Sequence, residues 1–575
     1  MRIIIALLLP ISFISNLYAT PHAVQLNIIG IKNPLLLDNI RGYLSIGQKH
    51  PQLSTGRIKG LHKRAKKEIK RALQAFGYYH VTVRAKLKRL QPKIWRATYI
   101  IKLGKTITIT KLDIQILGAA NNDKNFQQLK FPLAVGEIFK HLKYKQAKQL
   151  LRQLAEERGY FHAKFQKHEI RVDKQTYSAE ISLIFDSKKR YRFGKVIFPK
   201  DWFDESLLQR YVTFKTGDFY TSSKFLAFKN ALMYSGYFDK VDVDILRLAT
   251  TENQRLPIKV KLGIRKKHKY AIGLGYGTNT GARGSLEWKR RYLNRYGHKF
   301  SIKATQAEIG ESAIASYTVP KAWHQDELFS ITALYKNEHI RASDSKIFAL
   351  GVNKNHKNKI IGIKYHDETY TIGSDSGHAK LLIPSINWSY INADDRIYTR
   401  QGHKLTMDVL GAINNIGSNT SFLQFRLDGK LIHPLFNKGR IITRGQFAYS
   451  FVSLVRGEFN DLPPSIRFFA GGDRSIRGYD YQSLGPKNTE GIVIGGKNLF
   501  IGSIEYEYQI LDKYYLAAFY DVGNAFNDFS DPIKHGIGLG VRWRSPVGLI
   551  RFDVATALEE EGFPLRLHIT IGPDL

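Results

Sequence analysis

The chain of 575 residues contains no cysteine. Proteins of the reducing cytosol usually keep a few thiols, whereas a chain without them cannot be cross-linked by accident in an oxidising compartment. The absence excludes disulfide bonds and favours a protein that works outside the cytoplasm.

Long apolar runs are also missing. After the N-terminus no segment offers 18 consecutive apolar residues, which excludes a membrane-spanning helix. The mean hydropathy of −0.28 would ordinarily indicate a soluble protein. Mean hydropathy does not detect transmembrane β-barrels, because their strands alternate lipid-facing and lumen-facing residues and average to a polar composition.

The sequence shows no arrangement of catalytic or metal-binding residues. It has no Gly-x-Ser-x-Gly, His-Glu-x-x-His or Walker motif. Histidines such as His268, His298 and His324 are scattered and lack ligand spacing. We therefore expect no enzyme, no metal site and no cofactor, and any energy must come from outside the chain.

Acidic residues are scarce, so the net charge is +39 and the pI is about 9.9. Between Pro51 and Thr110 the only acidic residue is Glu68. The basic residues between Arg57 and Lys105 include a dense group, here called the basic patch: Lys63, Arg64, Lys66, Lys67, Lys70 and Arg71.

The first 19 residues predict a cleaved secretory signal. Arg2 is a short basic region, Ile3 to Ile14 is an apolar run, and Ala19 is a small residue suited to cleavage. A buried N-terminal strand is the alternative. Behind a secretion signal the available polyanions are lipid head groups, lipopolysaccharide phosphates and acidic proteins, so we expect no nucleic acid. A general basic bias without a specific partner also fits the composition.

The N-terminal half contains three repeats of about 80 residues. Helix-period runs end in Phe76-Gly77-Tyr78, Arg158-Gly159-Tyr160 and Ser235-Gly236-Tyr237, with 82 and 77 residues between successive glycines. Each glycine is expected to have positive φ after a helix. A strand opens each unit and two strands close it, which predicts the order β-α-α-β-β, a three-stranded sheet covered by two helices.

From about His268 the hydrophobic period changes from helical to two. Ile504, Tyr506 and Tyr508 alternate with Ser503, Glu505 and Glu507, and the same pattern recurs to the end of the chain. Alternation over about ten residues is typical of transmembrane barrel strands. A soluble sandwich alternates too, but would not place charged residues on so many inner faces. About 16 antiparallel strands are expected at about 19 residues per strand and loop.

An Arg477-Gly478-Tyr479 tripeptide follows Gly471-Gly472 in the barrel region. A planar guanidinium gains little on a loop that faces water, but it can grip a carboxylate inside a polar lumen. Alternation places Asp521 on the lumen face, so we predict an Arg477–Asp521 pair. Glu505 and Glu507 are the other candidates. An ordinary exposed loop is the alternative.

The repeats resemble polypeptide-transport-associated (POTRA) domains, and tandem POTRA domains before a barrel resemble the outer-membrane insertase superfamily. Arg477-Gly478-Tyr479, the Asp-x-Gly of Asp521-Val522-Gly523 and Ser545-Pro546-Val547-Gly548 match recurring family segments. The resemblance implies that the loop tip folds inside the barrel. The predicted domains are a signal peptide (1–19), POTRA 1 (23–104), POTRA 2 (105–188), POTRA 3 (189–266) and a transmembrane β-barrel (267–575).

The first and last barrel strands predict a weak lateral seam. The first carries Gly273, Gly275 and Gly277 on one face, with little side-chain packing. The last contains Gly572 and Pro573 before Leu575, and Pro573 lacks a backbone donor. An opened seam would offer an edge to a client strand. The glycines are also explained if they make room for the folded-in loop.

The resemblance implies an outer-membrane factor, with POTRA domains in the periplasm, that helps insert or secrete autotransporter-like barrel clients through this seam. Three POTRA domains resemble the translocation-and-assembly branch. That branch implies an inner-membrane-anchored, periplasm-spanning partner, unfolded clients, and contact with outer-membrane lipid and lipopolysaccharide. A passive or secretion pore with periplasmic docking domains is the alternative, and a secreted polyanion-binding protein is a third class.

Overall fold

The structure is a computed structural model that describes residues 23–48, 53–200, 202–246, 254–321, 326–340, 343–395, 397–452, 462–545 and 548–575. The predicted signal peptide lies outside the described residues, as do Pro546 and Val547. In the described residues, no helix is both long enough and apolar enough to cross a bilayer.

The described residues form two compact units. The first comprises those up to Val196 together with Phe214–Ala227 and the described part of Ile245–Ile258. The second comprises the described residues of Ile197–Thr213, Phe228–Asp244 and Lys259–Leu575. The third predicted repeat, residues 189–266, therefore contributes to both units.

In the described residues, each of the three N-terminal repeats contains three strands and two α-helices. The first has β1 (Ala23–Ile29), α1 (Pro34–Tyr43), α2 (Thr55–Gln74), β2 (Thr82–Gln91) and β3 (Ile94–Lys102). The second has β4 (Thr108–Leu117), α3 (Lys124–Gln127), α4 (His141–Arg158), β5 (Lys164–Asp173) and β6 (Ser178–Asp186). The third has β7 (Arg192–Ile197), α5 (Glu205–Gln209), α6 (Ser222–Tyr234), β8 (Phe238–Ile245) and β9 (Arg255–Ile264).

The closing strand lies in the middle of each small sheet. The strand orders are β1-β3-β2, β4-β6-β5 and β7-β9-β8. In the first repeat β1 is parallel to β3, whereas β2 is antiparallel to β3. Parallel neighbours need a long crossover, and the helices between the opening and closing strands supply it.

Helix α2 shows why the repeats pack. The Ser54 side chain accepts a hydrogen bond from the backbone N–H of Arg57 at 3.2 Å, which caps the helix. Leu61, Ala65, Ile69 and Leu73 recur every four residues, as on one helix face, and all four are buried. They pack with the inward side chains of β3, namely Trp95, Ala97, Tyr99 and Ile101.

The three repeat glycines all have positive φ: +90° at Gly77, +83° at Gly159 and +83° at Gly236. Only Gly159 caps its helix directly, and its N–H bonds to the carbonyls of the last turn of α4. Gly77 and Gly236 lie two or three residues beyond the last residue of α2 and α6. The backbone requirement for glycine is thus common to all three, but the helix-end geometry is not.

The second repeat uses its glycine turn to surround Asp123. Arg158 and Tyr160, on either side of Gly159, contact the carboxylate at 3.2 and 3.1 Å. Asn125 donates through its backbone N–H and its side chain, at 3.1 and 2.9 Å. Burial acts to raise the pKa of Asp123, but the hydrogen bonds from Asn125 and Arg158 outweigh it and lower the pKa to about 2.

Replacing Asp123 by asparagine is expected to destabilise the second repeat by about 2–3 kcal/mol at neutral pH. A depressed carboxyl pKa gives stability that is present above the unfolded pKa of about 4 and is lost as pH falls towards 2. Hydrogen exchange over α4, corrected for intrinsic rates, should be faster in the variant at pH 7. Glu156→Gln, at an exposed position of α4, is the matched control. Equal protection in both variants would contradict the expectation.

The C-terminal part is a barrel of sixteen antiparallel strands in sequence order, β10 to β25, so the predicted fold class and strand number are confirmed. The strands are β10 (His268–Gly277), β11 (Gly281–Arg290), β12 (Lys299–Ala307), β13 (Gly310–Pro320), β14 (Glu327–Ile340), β15 (Ser343–His356), β16 (Lys359–Ile372), β17 (Asp375–Ala393), β18 (Gly402–Ala412), β19 (Phe422–Leu435), β20 (Gly439–Val452), β21 (Asn498–Leu511), β22 (Tyr514–Phe526), β23 (Lys534–Ser545), β24 (Gly548–Ala557) and β25 (Leu565–Gly572).

Burial in the barrel follows the period-two pattern. Leu516 and Tyr520 of β22 are exposed on the outer face, whereas Phe519 and Asp521 between and after them are buried towards the lumen. We call the end at which β10 begins the near end and the opposite end the far end. Because neighbouring strands are antiparallel, the connection from β20 to β21 lies at the far end.

Candidate functional site

The connection between β20 and β21 folds back into the barrel lumen. Its described part, residues 462–497, carries the Arg-Gly-Tyr tip, and Ile476 and Tyr479 are buried against Leu499 and Ile501 of β21. Gly478 has φ +97°, and a Cβ there would lie 2.6 Å from the backbone carbon of Thr556. Only glycine therefore lets the tip lie flat against β24.

Arg477 binds three carboxylates of the inner wall. Its Nε and Nη2 donate to the two Asp521 oxygens at 2.7 and 2.9 Å, a bidentate pair. Its Nη1 donates to Glu505 at 2.8 Å and to Asp553 at 3.3 Å. The guanidinium also lies 3.3 Å from the ring centroid of Phe519. The structure thus places the predicted Arg477–Asp521 pair together, with Glu505 as a second partner.

A second buried cation, Arg542 of β23, completes this cluster. It donates to Glu505 at 2.7 Å and to Glu507 at 3.1 Å, and also to Asp553. Glu507 is therefore an ion-pair partner of Arg542 rather than of Arg477. The period-two pattern puts Arg542 and Asp553 on inner faces, but it does not predict that they lie at the same height in the barrel as Arg477.

The ion pairs continue from Glu507 to the end of the last strand. Arg440 of β20 donates to Glu507 at 2.6 Å and to Asp574 at 2.6 Å. Arg551 also donates to Asp574, at 2.6 Å, and the N–H of Thr399 donates at 3.0 Å. The Asp574 side chain is fully buried. The predicted seam included its neighbours Gly572, Pro573 and Leu575 but not Asp574, whose ion pairs hold this tail in the lumen.

The seam between β10 and β25 has no ladder of paired residues among the described residues, although every other neighbouring pair of barrel strands has one. At the far end the Thr278 N–H lies 3.4 Å from the Ile569 carbonyl. Extending that register places Tyr276 opposite Ile571 and Gly275 opposite Gly572, where β25 ends. The first half of β10 therefore extends beyond its neighbour.

The exposure of side chains on β10 also indicates that the near half of the seam is unpaired. The outward side chains Ile272 and Leu274 are 79% and 88% exposed, whereas Leu350 and Ile363 on paired strands are 45% and 54% exposed. Gly273, Gly275 and Gly277 lie on the opposite, lumen face of β10. A Cβ at Gly273 would come within 2.6 Å of the Ser285 hydroxyl, so the glycines also make room for β11 side chains.

The basic patch lies on α2, away from the residues that α2 buries. All six of its side chains are exposed, and no ion pair involves them in the part of the chain that the structure describes. The carboxylate of Glu68 accepts hydrogen bonds from the backbone N–H and hydroxyl of Ser45.

These features define a class of protein: a barrel preceded by POTRA-like repeats, with an arginine-tipped loop fixed in its lumen and an unpaired lateral seam. The sequence profile of the Omp85 superfamily domain matches residues 220–573, and that of the POTRA domain described as TamA domain 1 matches residues 25–103. The chain belongs to the Omp85 superfamily, a family of outer-membrane β-barrel proteins with periplasmic POTRA domains.

Two curated relatives are named outer membrane protein assembly factor BamA. That of Nitratidesulfovibrio vulgaris is 25% identical over 62% of this chain and 47% of its own length. That of Neorickettsia risticii is 21% identical over 65% of this chain and 53% of its own length. The chain thus spans about half the length of the curated relatives it matches.

A solved structure is also similar in fold. The crystal structure of BamA from Haemophilus ducreyi lacking POTRA domains 1–3 superposes with a TM-score of 0.68 at 19% identity. The alignment covers 81% of this chain and 99% of that one. At this level of identity the similarity concerns the fold.

Proposed function

We propose that this protein is an outer-membrane assembly factor that helps insert or secrete autotransporter-like β-barrel clients through the seam between β10 and β25. It acts without chemistry of its own. The observation that carries the proposal is the seam, because it is the one junction of the described barrel that lacks a ladder. The N–H and C=O groups of an unpaired edge are a ready template for another strand.

The lumen-bound loop favours strand templating over passage through an open pore. Its tip and the ion pairs from Arg477 to Asp574 occupy the inner wall between β20 and β25. Buried charges in this arrangement are held by partners on several strands, and removing one partner is costly. The loop is therefore firmly bound in the resting barrel, and the route for a client is sideways.

The match of residues 25–103 to the first TamA POTRA domain, together with three repeats, supports the TamA branch within the superfamily. On this proposal the protein works with a TamB-like, inner-membrane-anchored partner that spans the periplasm. Its other partners are unfolded outer-membrane clients, outer-membrane lipid and lipopolysaccharide. The BamA names of the relatives support the broader assembly role.

The function is tested with purified protein in proteoliposomes. An unfolded autotransporter barrel should fold, as judged by heat-modifiable gel migration, faster with the protein than with empty liposomes. Planar bilayers test the alternative, because a passive or secretion pore conducts steadily while a plugged barrel does so only in rare bursts. Steady conductance without accelerated folding would replace the proposal with the pore.

Charge reversal of Lys66, Lys67 and Lys70 is expected to weaken binding of the first repeat to an anionic partner by at least tenfold at low salt. Added salt should weaken wild-type binding in the same direction, because exposed charges are screened within about 10 Å at 0.1 M. Flotation with anionic vesicles measures binding to lipid, and pull-down of the periplasmic partner measures binding to a protein.

The control for this variant is an equal charge change at Lys145, Lys164 and Arg152, which are exposed in the second repeat. If both triple variants bind equally, or if wild-type binding does not depend on salt, the patch has no specific partner. The charge would then reflect a general basic bias.

A further inference from the structure

One carboxylate contacts both edges of the seam, and the loop carries it. The Asp473 Oδ1 atom lies 2.8 Å from the hydroxyl of Thr278, just beyond the end of β10. The same oxygen lies 2.7 Å from Nδ1 of His568 on β25. The Asn279 side chain, in the turn after β10, accepts the backbone N–H of Asp473 and donates to the Asp473 Oδ1, each at 3.1 Å. The side chains of Asp473 and His568 are each 5% exposed.

Hydrogen-bond partners fix the direction of these contacts. The Nε2 of His568 accepts the backbone N–H of Gly478 at 3.0 Å, so its proton is on Nδ1 and is donated to Asp473. The Thr278 hydroxyl accepts the N–H of Ile569 at 3.2 Å, so its own proton also goes to Asp473. Each edge thus donates a hydrogen bond to the same charged acceptor.

We propose that Asp473 is a clasp that holds the far end of the seam closed and couples seam opening to the position of the loop. Hydrogen bonds to a charged group are stronger than neutral ones and are costly to leave unmade when buried. With no ladder between β10 and β25 in the described residues, the Asp473 contacts add to the two hydrogen bonds between Thr278 and Ile569 in holding the far end closed. The seam opens at its far end when the loop tip withdraws, since withdrawal removes the acceptor from both edges at once.

The clasp is separable from the Arg477 cluster. Arg477 binds carboxylates of β21, β22 and β24, none of which is an edge strand. The Asp473 side chain, within the part of the chain that the structure describes, contacts groups on the edge strands and in the turn after β10. Removal of the Asp473 carboxylate should therefore free the seam while Arg477 still holds the loop in the lumen. The inference rests on the proposed function for the importance of the seam, but the contacts that it explains are those of the protein without a client.

The test uses the full chain in lipid nanodiscs with no client present. Spin labels at Tyr276→Cys and Ile571→Cys report the far-end distance by pulsed electron resonance, and the absence of native cysteine makes the labelling specific. Asp473→Ala is expected to increase the long-distance population roughly tenfold or more. Trypsin resistance at the buried Arg477 shows that the loop has stayed in place.

Two controls separate the clasp from general loosening. Arg474→Ala changes the next residue of the loop, which is exposed, and Glu490→Gln neutralises another carboxylate of the same loop, which accepts hydrogen bonds from the N–H and hydroxyl of Ser374. Both should leave the far-end distance at its wild-type value. If either opens the far end as much as Asp473→Ala does, Asp473 is not the clasp.

Variants on the two edge strands provide the test if Asp473→Ala causes the loop to leave the lumen. Thr278→Val and His568→Leu leave the loop sequence intact and each removes one donor to Asp473. Thr278→Val also removes the acceptor of the Ile569 N–H, so His568→Leu is the variant that should open the far end less than Asp473→Ala. An unchanged distance in both, or in Asp473→Ala with Arg477 protected, overturns the proposal. Because no client is used, this result is independent of whether the protein assembles clients.

Discussion

Replacing Arg477 by alanine is expected to reduce client assembly by at least tenfold while the barrel still reaches the membrane. The substitution leaves Asp521, Glu505 and Asp553 with one buried cation fewer, and breaking a buried ion pair in this way costs about 3–5 kcal/mol. Arg477→Lys should also fail, because an ammonium cannot make the bidentate contact to Asp521. The measurements are proteoliposome assembly and trypsin sensitivity of the loop.

Arg474→Ala is the matched control for this variant, because Arg474 is in the same loop but exposed. A double-mutant cycle between Arg477→Ala and Asp521→Ala should show a coupling of at least about 1 kcal/mol in loop stability. Since Glu505 and Asp553 share the cation, cycles with each should give smaller values. Wild-type assembly by Arg477→Ala, or additive effects of Arg477 and Asp521, would show that the cluster does not support function.

Locking the seam is expected to abolish assembly. The register places Tyr276 and Ile571 opposite each other, and both side chains face outward, so paired cysteines there can be oxidised or bridged by a short crosslinker. A cysteine pair at Ile272 and Ile569 would be out of register, because the hydrogen bond joins Thr278 to Ile569. Oxidised protein should lose assembly at least tenfold and regain it on reduction.

A lock between two strands that are already paired provides the control. Leu350 and Tyr365 are direct partners on β15 and β16, so cysteines there add a covalent bond without closing any opening. That variant should assemble clients normally when oxidised. If the fully crosslinked seam variant does the same, clients do not pass through the seam, and the docking-platform or pore alternative is favoured.

The sequence predicted the fold because the two halves have different hydrophobic periods. The four-residue repeat of Leu61 to Leu73 allows only a helix with one buried face, and the alternation around Glu505 and Asp521 allows only a strand with one polar face. The period also fixed which side chains enter the lumen. It placed Asp521 on the lumen face, whereas the inward position of Arg477 was predicted from the chemistry of its guanidinium and from the resemblance to the insertase superfamily.

The sequence could not predict contacts that depend on how strands lie next to each other. Alternation gives the face of Arg542 and Asp553 but not their height relative to Arg477, which follows from register and strand tilt. Asp574 lies beyond the last strand, where the period ends and the tail turns inward. The clasp joins residues 278, 473 and 568, and no local pattern spans 291 positions between Thr278 and Ile569.

The most direct test of the account is to ask where a client touches the barrel. A photo-reactive residue is placed at Ile272 in the unpaired half of β10 and, as control, at Ile363 on β16, and a client is stalled during assembly in proteoliposomes. Both side chains face outward and are exposed. The account predicts a crosslink to a client strand from Ile272 and none from Ile363. Equal crosslinking at both positions, or none at Ile272 while assembly proceeds, would contradict it.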